Sequence, residues 1–292
     1  MKKLVALLLA VPRLAWADES VYFESTAVAP SPGAMDTDVA PAAPAAPEVD
    51  SAPALHATPE DSAPEENPVP SPLSYGAEVD VASRYVMRGL AFSKYPVFQP
   101  SARVSEYGAT LGVAGSAYMG HEPGIDYSFS ELDLSGRYDF TLGAATISPT
   151  IGAYLYPHDA PSTAEVGATV VYDLSVVALM THQFIDVIDN AGGYFADVGA
   201  ARSQPLGSRV RLYAAASLAW CSGSYGRYYI EDTMTGMHWN AAQLDSSLTF
   251  SATSALYFRL HGTASRMLET HLRQLGPEEN ILSGGLAMGM AN

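Results

Sequence analysis

Ionisable residues recur at every second or fourth position in several stretches of this 292-residue chain. Glu78, Asp80, Arg84 and Arg88 share one phase of a stretch, Glu131, Asp133, Arg137 and Asp139 share another, and Arg209 and Arg211 a third. Glu165, Asp245 and Arg259 fall on the polar phase of their own stretches. On extended backbone, residues two apart point to the same side, so each stretch would present a charged face. Charges of both signs facing one another across an enclosed space could do two things. They could pair and brace the wall, or they could set a field that selects passing solutes. Arg84 and Arg88 are the first choice for a constriction, because they share a face.

Catalytic sets do not assemble from the sequence. No serine stands two residues after a histidine where a strand-borne nucleophile and base would need it: His158 has Ala160, His182 has Phe184 and His261 has Thr263. His182 and Asp186 are four apart, which on a strand is roughly 13 Å, too far to share a metal. Cys221 is the only cysteine, and no motif around it supplies an activating base. Glu231 and Asp232 fall short of the ligand count of a calcium loop. The expectation is a protein without catalytic residues, metal or cofactor.

The elements that must carry these charges read as strands. In 209–220, Val210, Leu212, Ala214, Ala216, Leu218 and Trp220 alternate with Arg209, Arg211, Tyr213, Ala215, Ser217 and Ala219. In 241–250, Ala242, Leu244, Leu248 and Phe250 oppose Gln243, Asp245, Ser247 and Thr249, and 256–265 and 131–140 repeat the pattern. A period of two means β-strand. Twelve candidates follow one another, from 76–92 and 96–105 through to 280–290, most of them long enough for a tilted membrane strand. Joints near 106–107, 141–143, 173–175, 203–208 and 251–254 are short, and those between are generally longer. The joint at 93–95 is a short exception among the long ones. A soluble sandwich shares the period but has no reason to alternate its joint lengths. A barrel with short periplasmic turns and long external loops does. The predicted fold class is therefore all-β, a transmembrane antiparallel β-barrel over 73–292. Most of the 17 tyrosines are expected at its lipid-headgroup girdles, with a stacking track in the lumen as the other use.

Two segments precede that barrel. Residues 1–17 have a charged start at Lys2 and Lys3, a short apolar run and Ala15-Trp16-Ala17, which predicts a signal peptide cleaved after Ala17. Residues 18–72 hold 11 acidic residues, 11 Pro, 12 Ala and no Lys or Arg. Such a stretch cannot bury enough apolar surface to offset chain entropy, so it is expected to be a disordered periplasmic arm. The arm is a passive tether or a contact for periplasmic or cell-wall partners. The remainder carries 12 basic and 20 acidic residues with no basic stripe, which excludes nucleic acid as a partner.

The stretch Val81-Ala82-Ser83-Arg84-Tyr85-Val86-Met87-Arg88-Gly89-Leu90 resembles the opening strand of the TorF-like porin family, with its Ser-x-Tyr-x-x-Arg-Gly element. Three further stretches follow in register: Glu131-Leu132-Asp133-Leu134-Ser135-Gly136, Tyr154-Leu155-Tyr156-Pro157 and Glu165-Val166-Gly167-Ala168. They look like that family's Glu-hydrophobic-Asp strand, Tyr-Pro hairpin and following Glu strand. The resemblance covers about residues 76–172 and implies a small outer-membrane barrel of porin type. The expected partners are outer-membrane lipid and small polar solutes diffusing through a narrow charged lumen. The alternative is a structural barrel whose acidic arm docks periplasmic or cell-wall partners. Oligomeric state is not legible in the sequence.

Overall fold

The computed structural model describes residues 73–120, 129–157, 161–230, 233–269 and 278–292. Expectations for residues 1–72 and for Glu231 and Asp232 lie outside the described residues. The first two strands of the wall are β1 (Ser74–Ala82) and β4 (Val97–Glu106), with the small pair β2 (Val86–Met87) and β3 (Leu90–Ala91) between them. Then come β5 (Ala109–Tyr118), β6 (Phe129–Tyr138), β7 (Phe140–Leu142), β8 (Ala145–Leu155), β9 (Thr163–Asp173), β10 (Ala178–Asp186), β11 (Tyr194–Pro205) and β12 (Val210–Ser222). A short helix α1 (Gly223–Tyr229) precedes β13 (Met237–Ser251), β14 (Leu256–Met267) and β15 (Asn280–Ala291).

Each wall strand pairs antiparallel with its sequence neighbours, β1 pairs with β15, and β6 pairs with β8, so the sheet closes on itself. β6 and β7 are one strand interrupted at Asp139, which makes the ring twelve-stranded. Closure matters because no backbone donor or acceptor is left on an open edge, a requirement inside a bilayer. No helix among the described residues is long and apolar enough to cross a membrane.

Alternation becomes two faces with different solvents. Outward lie Leu134, Ile151, Leu218, Leu244, Leu260, Leu282 and Leu286, all exposed, with Leu282 at 72%. Inward lie Glu78, Asp80, Glu131, Asp133, Glu165 and Arg259, all buried. A water-soluble protein inverts that arrangement; a transmembrane barrel requires it. Exposed Tyr75, Tyr107, Tyr138 and Tyr172 ring the short-turn end, while Phe98, Phe129 and Trp239 lie near the other. Tyr85, Tyr154 and Tyr213 point inward instead and are buried.

The expectation that fails is the first strand. It ends at Ala82, not residue 92, and the following joint is not a short loop at 93–95. Residues 83–96 fold inward as the β2–β3 hairpin. Its two-residue turn, Arg88-Gly89, has φ of +48° and +81°, the pair of positive values that a type I′ turn needs. Glycine suits this geometry, but arginine occupies it at a cost.

Candidate functional site: a braced and capped lumen

At the long-loop end, the hairpin and α1 cap the lumen. Ser83 N–H donates to Gly284 O (2.8 Å), Ser283 Oγ donates to Arg84 O (3.1 Å), and Arg84 pairs with Glu278 at 2.5 Å. Asn240 Nδ2 donates to Arg88 O (2.8 Å) and Ser265 Oγ to Gly89 O (3.1 Å), which ties the turn to the β13–β14 wall. The approach is close: a Cβ on Gly89 would come within 2.4 Å of Ala241 Cβ. Only glycine fits there, for space as well as for φ.

Arg88 reaches across the lumen from this turn. Both terminal nitrogens donate to Glu165, Nη1 to Oε1 at 2.7 Å and Nη2 to Oε2. Tyr154 Oη donates to Glu165 as well (3.2 Å). The guanidinium lies 5.0 Å from the Phe184 ring centroid, 4.9 Å from Phe195 and 5.8 Å from Tyr225. Burial works against the Arg88 charge, but the Glu165 carboxylate more than offsets it and holds the guanidinium protonated. Tyr85 Oη donates to Glu131.

Helix α1 supplies the rest of the cap. Ser222 Oγ accepts from Tyr225 N–H at 3.3 Å and starts the helix. Tyr225 stacks near Phe195 (5.4 Å) and Tyr229 (4.6 Å), and Tyr229 meets Phe92 of the hairpin edge-on at 6.0 Å. Leu90, Cys221, Met234 and Met267 complete this apolar cluster. Burial pushes the Tyr225 and Tyr229 phenols up, so both stay neutral.

Below the cap the lumen is polar. Glu78 accepts from Tyr257 Oη (2.8 Å) and Arg259 Nη2 (2.5 Å). His261 Nε2 lies 2.9 Å from Asp80 Oδ2. His182 Nδ1 lies 2.8 Å from Asp197 Oδ1. Asp245 accepts from Thr263 Oγ1 (2.7 Å) and Gln243 Nε2 (2.9 Å). Inward glycines make room for the rings: a Cβ on Gly289 would sit 2.2 Å from Tyr257 Oη, and one on Gly285 2.3 Å from His261 Nε2. Nearer the short-turn end, Arg137 Nε lies 3.6 Å from Asp139 Oδ1 and Arg211 Nη1 donates to Ser203 Oγ (3.4 Å).

The sequence candidates therefore divide. Glu78, Asp80, Glu131, Asp133, Arg137, Asp139, Glu165, Arg211, Asp245 and Arg259 face the lumen. Arg84 and Arg88 sit on the infolded segment rather than on one strand face, because the wall strand has already ended. Arg209 lies in the exposed β11–β12 turn. The structure unites Arg88 with Glu165, Glu78 with Arg259 and Arg137 with Asp139. Sequence reasoning missed His182, Asp197, Asn240, Tyr257 and His261 as lumen partners. The strand phase of His182, Asp197, Tyr257 and His261 pointed inward, but which residues meet depends on register, and register is not written in any one strand. Asn240 shares the outward phase of Ala242 and Leu244 and is turned in by an irregularity in the pairing with Leu218 and Trp220.

No family model and no curated protein matches the chain. Among solved structures it is similar to the KdgM porin in complex with disordered oligogalacturonate, at 6% identity and TM-score 0.44, covering 75% of this chain and 97% of that one. It is also similar to the NanC porin, at 11% identity and TM-score 0.46, covering 73% and 98%. The COG4313 outer membrane channel from Pseudomonas putida F1 gives 10% identity and TM-score 0.43, covering 81% and 100%. The strand count and lumen contacts of this chain rest on its own register.

Proposed function

We propose that this chain is a bacterial outer-membrane channel of TorF-like porin type, exported with cleavage after Ala17, that passes small polar solutes by diffusion. One observation carries the reading: behind a lipid-facing apolar belt, the inner wall bears charges of both signs from Glu131 and Glu165 near one end to Arg137 and Arg211 near the other. A wall of that kind hydrates a path and sets a field along it. The short-turn end faces the periplasm by the rule for such barrels. The hairpin carrying Arg84 and Arg88 is the narrowing element, and the paired lumen charges tune which ions pass. No group in this scheme turns over a substrate.

A second reading has its own support. The apolar–aromatic cluster of Leu90, Phe184, Phe195 and Tyr225 fills the capped end, as it would in a structural barrel whose arm engages periplasmic or cell-wall partners. Liposome swelling separates the two. Entry of small sugars or amino acids into vesicles carrying the purified protein supports the channel, and vesicles that stay sealed support the scaffold.

A further inference from the structure

The lipid-facing belt is not evenly filled. On the outer face of β11–β15, toward the long-loop end, a groove of about 680 Å³ is set into it. Ala216, Ala242 and Ala264 form its floor on three adjacent strands, and Leu218, Leu244 and Leu282 stand around them. Register makes the hollow. Ala242 lies opposite Leu218, Ala216 opposite Leu244, and Ala264 between Leu244 and Leu282. Each floor position thus carries a methyl group where its cross-strand neighbour carries a branched side chain.

One end of the groove is polar. Arg266 and Asn280, opposite each other on β14 and β15, close it on the long-loop side. Arg266 Nη2 donates to Glu279 Oε1 at 2.8 Å. That pair is 58% and 40% exposed, so it contributes little by itself and both charged groups still present surface to a third. Trp220 and Trp239 lie beside this end, cross-strand neighbours with ring centroids 6.0 Å apart. Exposed tryptophan at a barrel rim marks the lipid headgroup level. From that level the groove runs down among alanines and leucines toward hydrocarbon depth. A site that is charged at the headgroup level and apolar below it has the shape of an amphiphile.

We infer that this groove is a lipid site. It takes one acyl chain of a zwitterionic phospholipid from the external leaflet, with the headgroup phosphate on Arg266 and the ammonium on Glu279. Charge complementarity selects the head. Adjacent positive and negative groups match a phosphate–ammonium head, whereas a purely anionic head brings its charge up against Glu279. Place selects the tail, because the groove is continuous with the apolar belt that the bilayer wets. A second copy fits worse. Two-fold pairing sets the same patch against itself, so hollow would meet hollow and the lining would lose its contacts. The same stretch of wall carries Ser265, which anchors the hairpin turn from the inner face, so the lipid backs the strand that holds the cap. The site rests on the barrel standing in a bilayer and not on conduction. A protein that passes no solute can still bind the lipid, so the two readings fail separately.

Native mass spectrometry of the full chain tests this, with phosphatidylethanolamine or phosphatidylglycerol of the same acyl chains added to the protein in detergent. The expected result is one phosphatidylethanolamine retained per barrel, several-fold in preference to phosphatidylglycerol. Ala242→Phe fills the groove from β13 and should weaken retention about tenfold, the equivalent of two buried methylene groups. Ala264→Leu fills it from β14 and gives the same reading should the first variant fail to fold. Glu279→Gln should erase the preference between the two heads. Ile151→Phe, at a lipid-facing position of β8 outside the groove, should change nothing. Equal retention of both lipids by wild type overturns the proposal. So does retention that the groove-filling variants leave unchanged, or that Ile151→Phe lowers as much as they do. A dimer that excludes the lipid also overturns it, because a second copy would then be the occupant.

Discussion

Replacing Arg88 with asparagine should release the hairpin from the lumen while leaving the wall standing. Asparagine tolerates positive φ, so Arg88→Asn keeps the turn and removes only the reach of the side chain. What goes is a two-pronged ion pair whose partners are 1% and 2% exposed, together with the contacts to three aromatic rings. Removing one member of a buried pair typically costs about 3–5 kcal/mol, much of it from the stranded partner, here Glu165. Ring contacts add to this but are not additive with the pair, so about 3 kcal/mol is the working lower figure. At about 1.4 kcal/mol per tenfold, the undocked hairpin becomes roughly a hundred times more populated. Hydrogen exchange in detergent reads this directly. The Phe92 amide, bonded to Tyr85 O at 2.8 Å, and the β2–β3 amides should exchange about a hundredfold faster. Amides of β1 paired with β15 should not change. In Arg88→Asn/Glu165→Gln the loss should be smaller than in Arg88→Asn alone, since no carboxylate is then left stranded. Unchanged protection of residues 86–92 in the single variant would refute the idea that Arg88 pins the cap.

Three further outcomes are expected. Glu78→Gln strands Arg259 beside Tyr257; it should make the lumen more anion-selective, read as a shifted reversal potential across a salt gradient. Gly289→Ala forces the Tyr257 ring off its seat and strains its bond to Glu78; it should cost about 1–3 kcal/mol, read as a lower temperature for losing the folded band on a gel. Leu260→Arg puts a charge on a lipid-facing position that is 60% exposed; it should cost about 2–4 kcal/mol if that position lies near the bilayer midplane, and assembly into vesicles should fall, whereas Thr263→Arg on the inner face should be better tolerated.

The barrel was legible because its signal is local. Leu256–Met267 and the 242–250 part of β13 alternate cleanly enough to assign side chains to lipid or lumen, and Tyr107-Gly108 or Gly143-Ala144 mark turns by chemistry alone. The cap was not legible, and residues 83–92 show why. Arg84, Val86, Arg88 and Leu90 continue the period of β1 without a break, because β2 and β3 are themselves extended. Only the partners reveal the infolding: Asn240 and Ser265, which hold the turn, lie more than 150 residues away. Helix α1 was hidden for a related reason. Its seven residues, Gly-Ser-Tyr-Gly-Arg-Tyr-Tyr, include two glycines and three tyrosines and have little intrinsic helix preference. Its aromatic contacts to Phe195 and Phe92 hold it in place.

Single-channel recording of the purified full chain, in a planar bilayer under a salt gradient, bears most directly on a charged lumen narrowed by an infolded hairpin. Wild-type protein should give small, discrete, ion-selective steps, and Arg88→Asn should enlarge them. Silent bilayers for both proteins, despite verified insertion, would contradict it.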